Sequence, residues 1–119
     1  MSKKKASEIP AEKLELYENL ASAFPGVEIK AAAMPYTSLN GHMYSFLTKQ
    51  GTLALRLPRG ERETFLEKYN TALMEQHGAV MKEYVTVPDD LFRNTEVLRK
   101  YFEMSLEYMG GLKPKAGKR

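Results

Sequence analysis

The sequence predicts an α+β fold: a two-layer sandwich in which an antiparallel sheet of about five strands carries three helices in the order αβββαββα. Three observations lead there. Apolar residues recur at helical spacing in three segments and with period two in the stretches between them. The strands are joined by short glycine-containing turns rather than by the long crossovers that parallel strands need. Nothing in 119 residues marks a repeat or a second core, and that length suits one domain.

Residues 11–24 place Leu14, Tyr17, Leu20, Ala21 and Phe24 on one helical face, with Glu15, Glu18 and Ser22 opposite. Pro10 suits the first turn, and Pro25-Gly26 ends the helix. Val27-Glu28-Ile29-Lys30-Ala31 then alternates as a half-buried strand should, until Pro35 interrupts it. Tyr36-Thr37-Ser38-Leu39 leads to Asn40-Gly41, a pair that accepts the two positive φ angles of a tight hairpin turn. The chain returns through Met43 to Thr48, turns at Lys49-Gln50-Gly51, and runs from Thr52 to Leu57 before Pro58 stops the strand.

From Gly60 to Thr71 the period becomes helical, with Phe65, Leu66 and Tyr69 on one side and Glu61 and Glu63 in the first turn, where carboxylates favour the helix dipole. Strands follow at residues 72–75 and 80–87 around a turn at His77-Gly78. Pro88-Asp89-Asp90 closes the sheet, with the two aspartates as turn and cap residues. Asn94 or Thr95 caps a last helix to about residue 109. On a wheel of 100° per residue, Leu98, Tyr101, Phe102, Ser105, Met109 and Leu112 face the sheet. Val97, Met104 and Tyr108 widen the apolar arc beyond what sheet packing needs. That surplus is either an interface with another chain or a ligand, or a surface covered by the first helix.

The net charge of +3 is unevenly placed. Lys3, Lys4, Lys5, Lys113, Lys115, Lys118 and Arg119 belong to the ends, so the alkaline character resides in basic tails at residues 1–10 and 113–119 around a single domain at 11–112. Between Ala6 and Leu112, eleven basic residues face fifteen acidic ones. Such ends attract polyanions weakly and salt-sensitively. No apolar run approaches the roughly 20 residues of a membrane span, and the lysines near the start precede no apolar segment that would make a secretory signal. Cysteine is absent, which excludes disulfides and thiolate chemistry and fits a cytoplasmic setting.

Catalytic and metal chemistry find no pattern. His42 and His77 flank turns and form no metal-spaced pair. Ser38, Ser45 and Ser105 lack a nucleophile-elbow context, and there is no phosphate-cradling glycine loop. No catalytic, cofactor-binding or metal-ligating residue is assigned, and no cofactor is expected. The densest polar cluster is Arg56-Leu57-Pro58-Arg59-Gly60-Glu61-Arg62, where Arg56, Arg59 and Arg62 gather near a helix start that would favour an anion. The alternative is that Arg56 lies on the exposed strand face while Arg59 and Arg62 pair locally with Glu61, Glu63 or other nearby acids.

Several strings, in order and spacing, resemble the TfoX N-terminal-like domain over residues 12–115. They are Leu39-Asn40-Gly41-His42-Met43-Tyr44-Ser45-Phe46, the Arg56-Leu57-Pro58 strand end, Met81-Lys82-Glu83-Tyr84-Val85-Thr86-Val87-Pro88, and the tyrosine-containing last helix running into Gly111-Leu112-Lys113-Pro114-Lys115. Where that family carries Met-Phe-Gly-Gly before the hairpin, this chain reads Met34-Pro35-Tyr36-Thr37. The resemblance implies a two-layer fold and a place beside the N-terminal domain of bacterial competence regulators, with no catalytic residues. The expected function is a non-enzymatic interaction or regulatory accessory module, with a protein partner or a second copy on its sheet face and on Val97, Met104 and Tyr108. The alternative is a nucleic-acid-associated accessory protein using the three arginines and the tails. An enzyme would require a deep pocket lined by Tyr36, Arg56 and Tyr84.

Overall fold

Pro10 lacks the N–H that a first turn would leave unpaired, and its carbonyl accepts from Lys13 and Leu14, so helix α1 (Ala11–Ser22) starts there. The computed structural model describes residues 9–30 and 33–112. After α1 come β1 (Tyr36–Leu39), β2 (His42–Leu47), β3 (Leu53–Arg56), α2 (Arg59–Lys68), β4 (Leu73–Gln76), β5 (Ala79–Val87), α3 (Asp89–Arg93) and α4 (Thr95–Gly110). The strands form one antiparallel sheet in the order β1-β2-β3-β5-β4, with the helices packed on one face. The α+β class and the five-strand count stand as expected, with one helix more than the sequence implied, giving αβββαββαα.

The turn residues account for the register. Asn40 and Gly41 take φ of 57° and 81°, and His77 and Gly78 take 55° and 79°, so both hairpins close through two left-handed residues. Two expectations fail. Residues 27–30 are not a strand: Val27 and Ile29 pack half-buried against the core, yet the segment touches the sheet only through the isolated bridge between Lys30 and Tyr36. Alternation marks a half-buried extended segment, but a ladder also needs a neighbour running alongside, and Pro35 has no N–H to extend one. Ala31 lies outside the described residues. Asp89 and Asp90 are not turn residues but the first turn of α3, entered through Pro88. The last helix is capped by Asn94, whose side-chain oxygen accepts from the Val97 N–H at 3.5 Å.

The core lies between the sheet and the helices. Leu98, Tyr101, Phe102, Ser105 and Met109, the face of α4 that the sequence assigns to the sheet, are all buried, and Leu112 packs half-buried beside them. Phe102 is the hub, its ring 5.2 Å from Phe24 and 5.4 Å from Tyr44. Tyr17 and Leu20 of α1, Leu53 and Leu55 of β3, and Val85 and Val87 of β5 complete this layer. Each large apolar side chain so buried contributes about 1.5–3 kcal/mol. Ile9, which the sequence leaves in the N-terminal tail, already belongs to the core. The tail lysines and Arg119 lie outside the described residues.

Candidate functional site

Alternation along the strands leaves a second set of side chains pointing away from the helices. Ala54 stands between the core residues Leu53 and Leu55, and Phe46 between Ser45 and Leu47, so both project from the opposite face. Even so, Phe46 is only 2% exposed and Ala54 is fully covered. Their cover is a rim of Met34, Tyr36, Met43, Met74, Met81 and Tyr84. The Phe46 and Tyr84 rings meet at 5.7 Å. Thioether side chains are long and unbranched, so this patch can adapt its shape to what it touches.

A register break shapes one end of the face. Leu73 pairs with Val85 but Met74 with Met81, so one step along β4 spans four along β5. Lys82, Glu83 and Tyr84 are left with no opposite residue on β4, a bulge of the kind that re-aims side chains. On the other side Tyr84 stays in register with Arg56, and the Glu83 carbonyl accepts from the Leu57 N–H at 3.0 Å. Between them opens a shallow groove of about 320 Å³ lined by Arg56, Met81, Lys82, Glu83 and Tyr84.

Arg56 is the hub of this corner. Its Nε donates to Glu83 Oε1 at 2.7 Å, and one terminal nitrogen, Nη1, approaches the Met43 carbonyl at 3.4 Å and the Met109 sulfur at 3.8 Å. The guanidinium carbon lies 5.9 Å from the Tyr84 ring and 5.8 Å from that of Tyr108. Tyr108 donates its hydroxyl to Glu83 Oε1 at 3.2 Å, and Tyr84 donates to the Met43 carbonyl at 2.6 Å. Burial alone would raise the Glu83 carboxyl, but hydrogen bonding and charge from Arg56, with help from Tyr108, hold it below the usual glutamate range. Burial likewise disfavours the Arg56 cation and is outweighed by Glu83, so the pair stays charged. Both phenols are pushed up, by burial first and by the Glu83 charge as well, and stay neutral donors.

The three arginines singled out by sequence do not share one task. Arg56 is held by Glu83, Arg59 is exposed and reaches Glu63 one helical turn on at 3.4 Å, and Arg62 donates to the Leu57 carbonyl at 2.9 Å. Val97, Met104 and Tyr108 on α4 are all half-buried and pack against the chain's own core. Arg56 and Tyr84 do line one groove, but Tyr36 is not part of its wall and the groove is shallow. His42 opens β2, and His77 sits exposed in the β4–β5 turn. Among the described residues no group of three or more His, Asp or Glu side chains is placed to hold a metal ion, and no helix is long and apolar enough to cross a membrane.

Sequence reasoning missed Met81, Lys82 and Glu83 as neighbours of Arg56. Strict alternation puts Met81 on the face of Val85, whereas the bulge brings it to the face of Tyr84. Comparison of the sequence with protein-family models and with curated proteins finds no match in either.

Proposed function

We propose that the chain is a non-enzymatic interaction module that docks a protein partner on the helix-free face of its sheet. One observation carries the reading: an apolar cluster centred on Phe46 and Ala54 occupies a face that no helix covers, under a rim of adaptable methionines. The resemblance to TfoX N-terminal-like domains, with its regulatory accessory role in the cytoplasm, agrees with such a module. A non-catalytic role also accords with a sequence that has no cysteine and two histidines beside turns.

A photoreactive residue placed at Met43 or Met81 tests this directly. Cross-linking in the cells that produce the protein is expected to give one discrete adduct from both positions and none from Glu103 on the exposed side of α4. The same adducts from all three positions, or none from the sheet face, would refute the reading. A second copy as the partner would appear as an adduct of twice the chain mass, and as a dimer in sedimentation. In that assay, Met104→Glu separates a contact on the α4 flank from one on the sheet. Nucleic-acid binding through Arg56, Arg59, Arg62 and the tails is the alternative, and it would have to survive about 200 mM salt to be more than tail attraction.

A further inference from the structure

The groove beside the β5 bulge combines two cationic groups with an apolar wall. Arg56 commits Nε to Glu83 and Nη1 to Met43 and Met109, while Nη2 has no hydrogen-bond partner among the described residues. No side-chain nitrogen or oxygen there is both buried and unpaired, so Nη2 is reachable from solvent. Lys82 is exposed, lines the same groove, and makes no ion pair or hydrogen bond among the described residues. Glu83 turns its carboxylate to Arg56 Nε and the Tyr108 hydroxyl, which leaves the three groups one positive charge in excess. The Tyr84 ring is fixed by its hydroxyl bond to Met43, and Met81 adds its thioether beside it.

That balance selects the ligand. A monoanion gains from Arg56 and Lys82, and because Glu83 leaves the wall only weakly positive, the steeper desolvation cost of a phosphate dianion offsets its extra attraction. A flat apolar body suits the Tyr84 and Met81 side, and the volume is at the small end of ligand sites. We propose that this groove binds a small carboxylate carried on an apolar, aromatic body, with the carboxylate on Arg56 Nη2 and Lys82 and the body against Tyr84 and Met81. The site needs no docked partner, so it stands or falls apart from the interaction reading above.

The probe is 3-phenylpropanoate, titrated in the millimolar range into the labelled full chain and followed by amide and methionine-methyl shifts near neutral pH. Saturable shifts centred on Arg56 and on Met81 to Tyr84 are expected. Uncharged 3-phenylpropanamide and inorganic phosphate should each bind more weakly. Lys82→Glu, an exposed change that leaves the remaining spectrum in place, should weaken the carboxylate by about tenfold or more, with Lys82→Gln between. Absence of saturable shifts, equal binding of the amide, or full affinity in Lys82→Glu would overturn the site.

Discussion

Ser45 is the middle of a buried chain of three hydroxyls. Tyr17 of α1 reaches its Oγ at 2.7 Å, and Thr37 of β1 at 2.5 Å. Burial pushes the Tyr17 phenol far above the ordinary tyrosine range, the two hydroxyl bonds opposing only in part, so it is neutral at any working pH. Removing the central group and removing an end group are therefore different experiments. Ser45→Ala removes the group that both Tyr17 and Thr37 bond and should lower stability by about 1–3 kcal/mol, whereas Tyr17→Phe leaves Ser45 and Thr37 paired and should cost nearer about 1 kcal/mol. Urea unfolding of both variants checks the order, and a larger loss in Tyr17→Phe would contradict it. The tyrosine's inward position was legible from helical spacing. Its serine partner was not, because Thr37 pairs with Ser45 while Ser38 pairs with Met43, and that irregularity turns Tyr44 and Ser45 to the same side.

At the scale of elements, the β2–β3 turn is a clamp on the start of α1. Lys13 runs beneath it, its Nζ 2.8 Å from Asp89 Oδ1 and 3.4 Å from the Gly51 carbonyl, and 5.7 Å from the centre of the Phe92 ring. Gly51 holds φ of +90°, and a Cβ there would lie 2.8 Å from Lys13 Cγ and 3.2 Å from the Pro10 ring. Gly51→Ala should thus cost about 1–3 kcal/mol, since backbone strain adds to displacement of the lysine. Gly78→Ala, at φ +79° in open space, carries the backbone part alone and should cost less. Thermal melting of the two variants compares them directly. Helices and hairpins were readable because periodicity and turn chemistry are local. The buried Lys13, the short helix α3 and the run at residues 27–30, which meets the sheet only at the Lys30–Tyr36 bridge, were not, since each is decided by what lies across the fold. A lysine is placed inside only by Asp89 and Gly51, which stand far away in sequence. For the same reason the arginine cluster could be read as residues but not as a site: Glu83 and the β5 bulge, which fix Arg56, belong to another hairpin.

For the whole molecule, charge pairs tie elements that the sheet does not join. Glu12 and Arg93 meet at 2.9 Å, and Lys13 and Asp89 at 2.8 Å, and these two link α1 to α3; Arg56 and Glu83 differ in reinforcing two strands, β3 and β5, that the sheet already pairs. The Arg93 hydrogen bond and charge lower Glu12, and the Lys13 hydrogen bond and charge lower Asp89. Folded values below the ordinary 4.5 for glutamate and 3.8 for aspartate give stability that is complete above those values and is lost as pH falls through the lowered ones. The urea midpoint should hold from neutrality to about pH 5 and decline below about pH 4. The decline should be modest, because Glu12 and Asp89 are largely exposed and water screens them. A midpoint unchanged at acid pH would mean that these pairs have no differential weight.

The strand order β1-β2-β3-β5-β4 has a consequence for how the chain comes off the ribosome. Within the sheet the two hairpin systems meet at the single seam of β3 and β5, and α4, made last, covers the first three strands. Until β5 is made, β3 is a bare sheet edge, and until α4 is made, Tyr44 lacks the Phe102 ring beside it. A nascent chain halted after α2 therefore holds a meander whose β3 edge is naked and whose apolar face lacks α4. The native fold of these residues is reached by a closure that waits for β5 and α4, and the interval before it is when this protein most needs a chaperone.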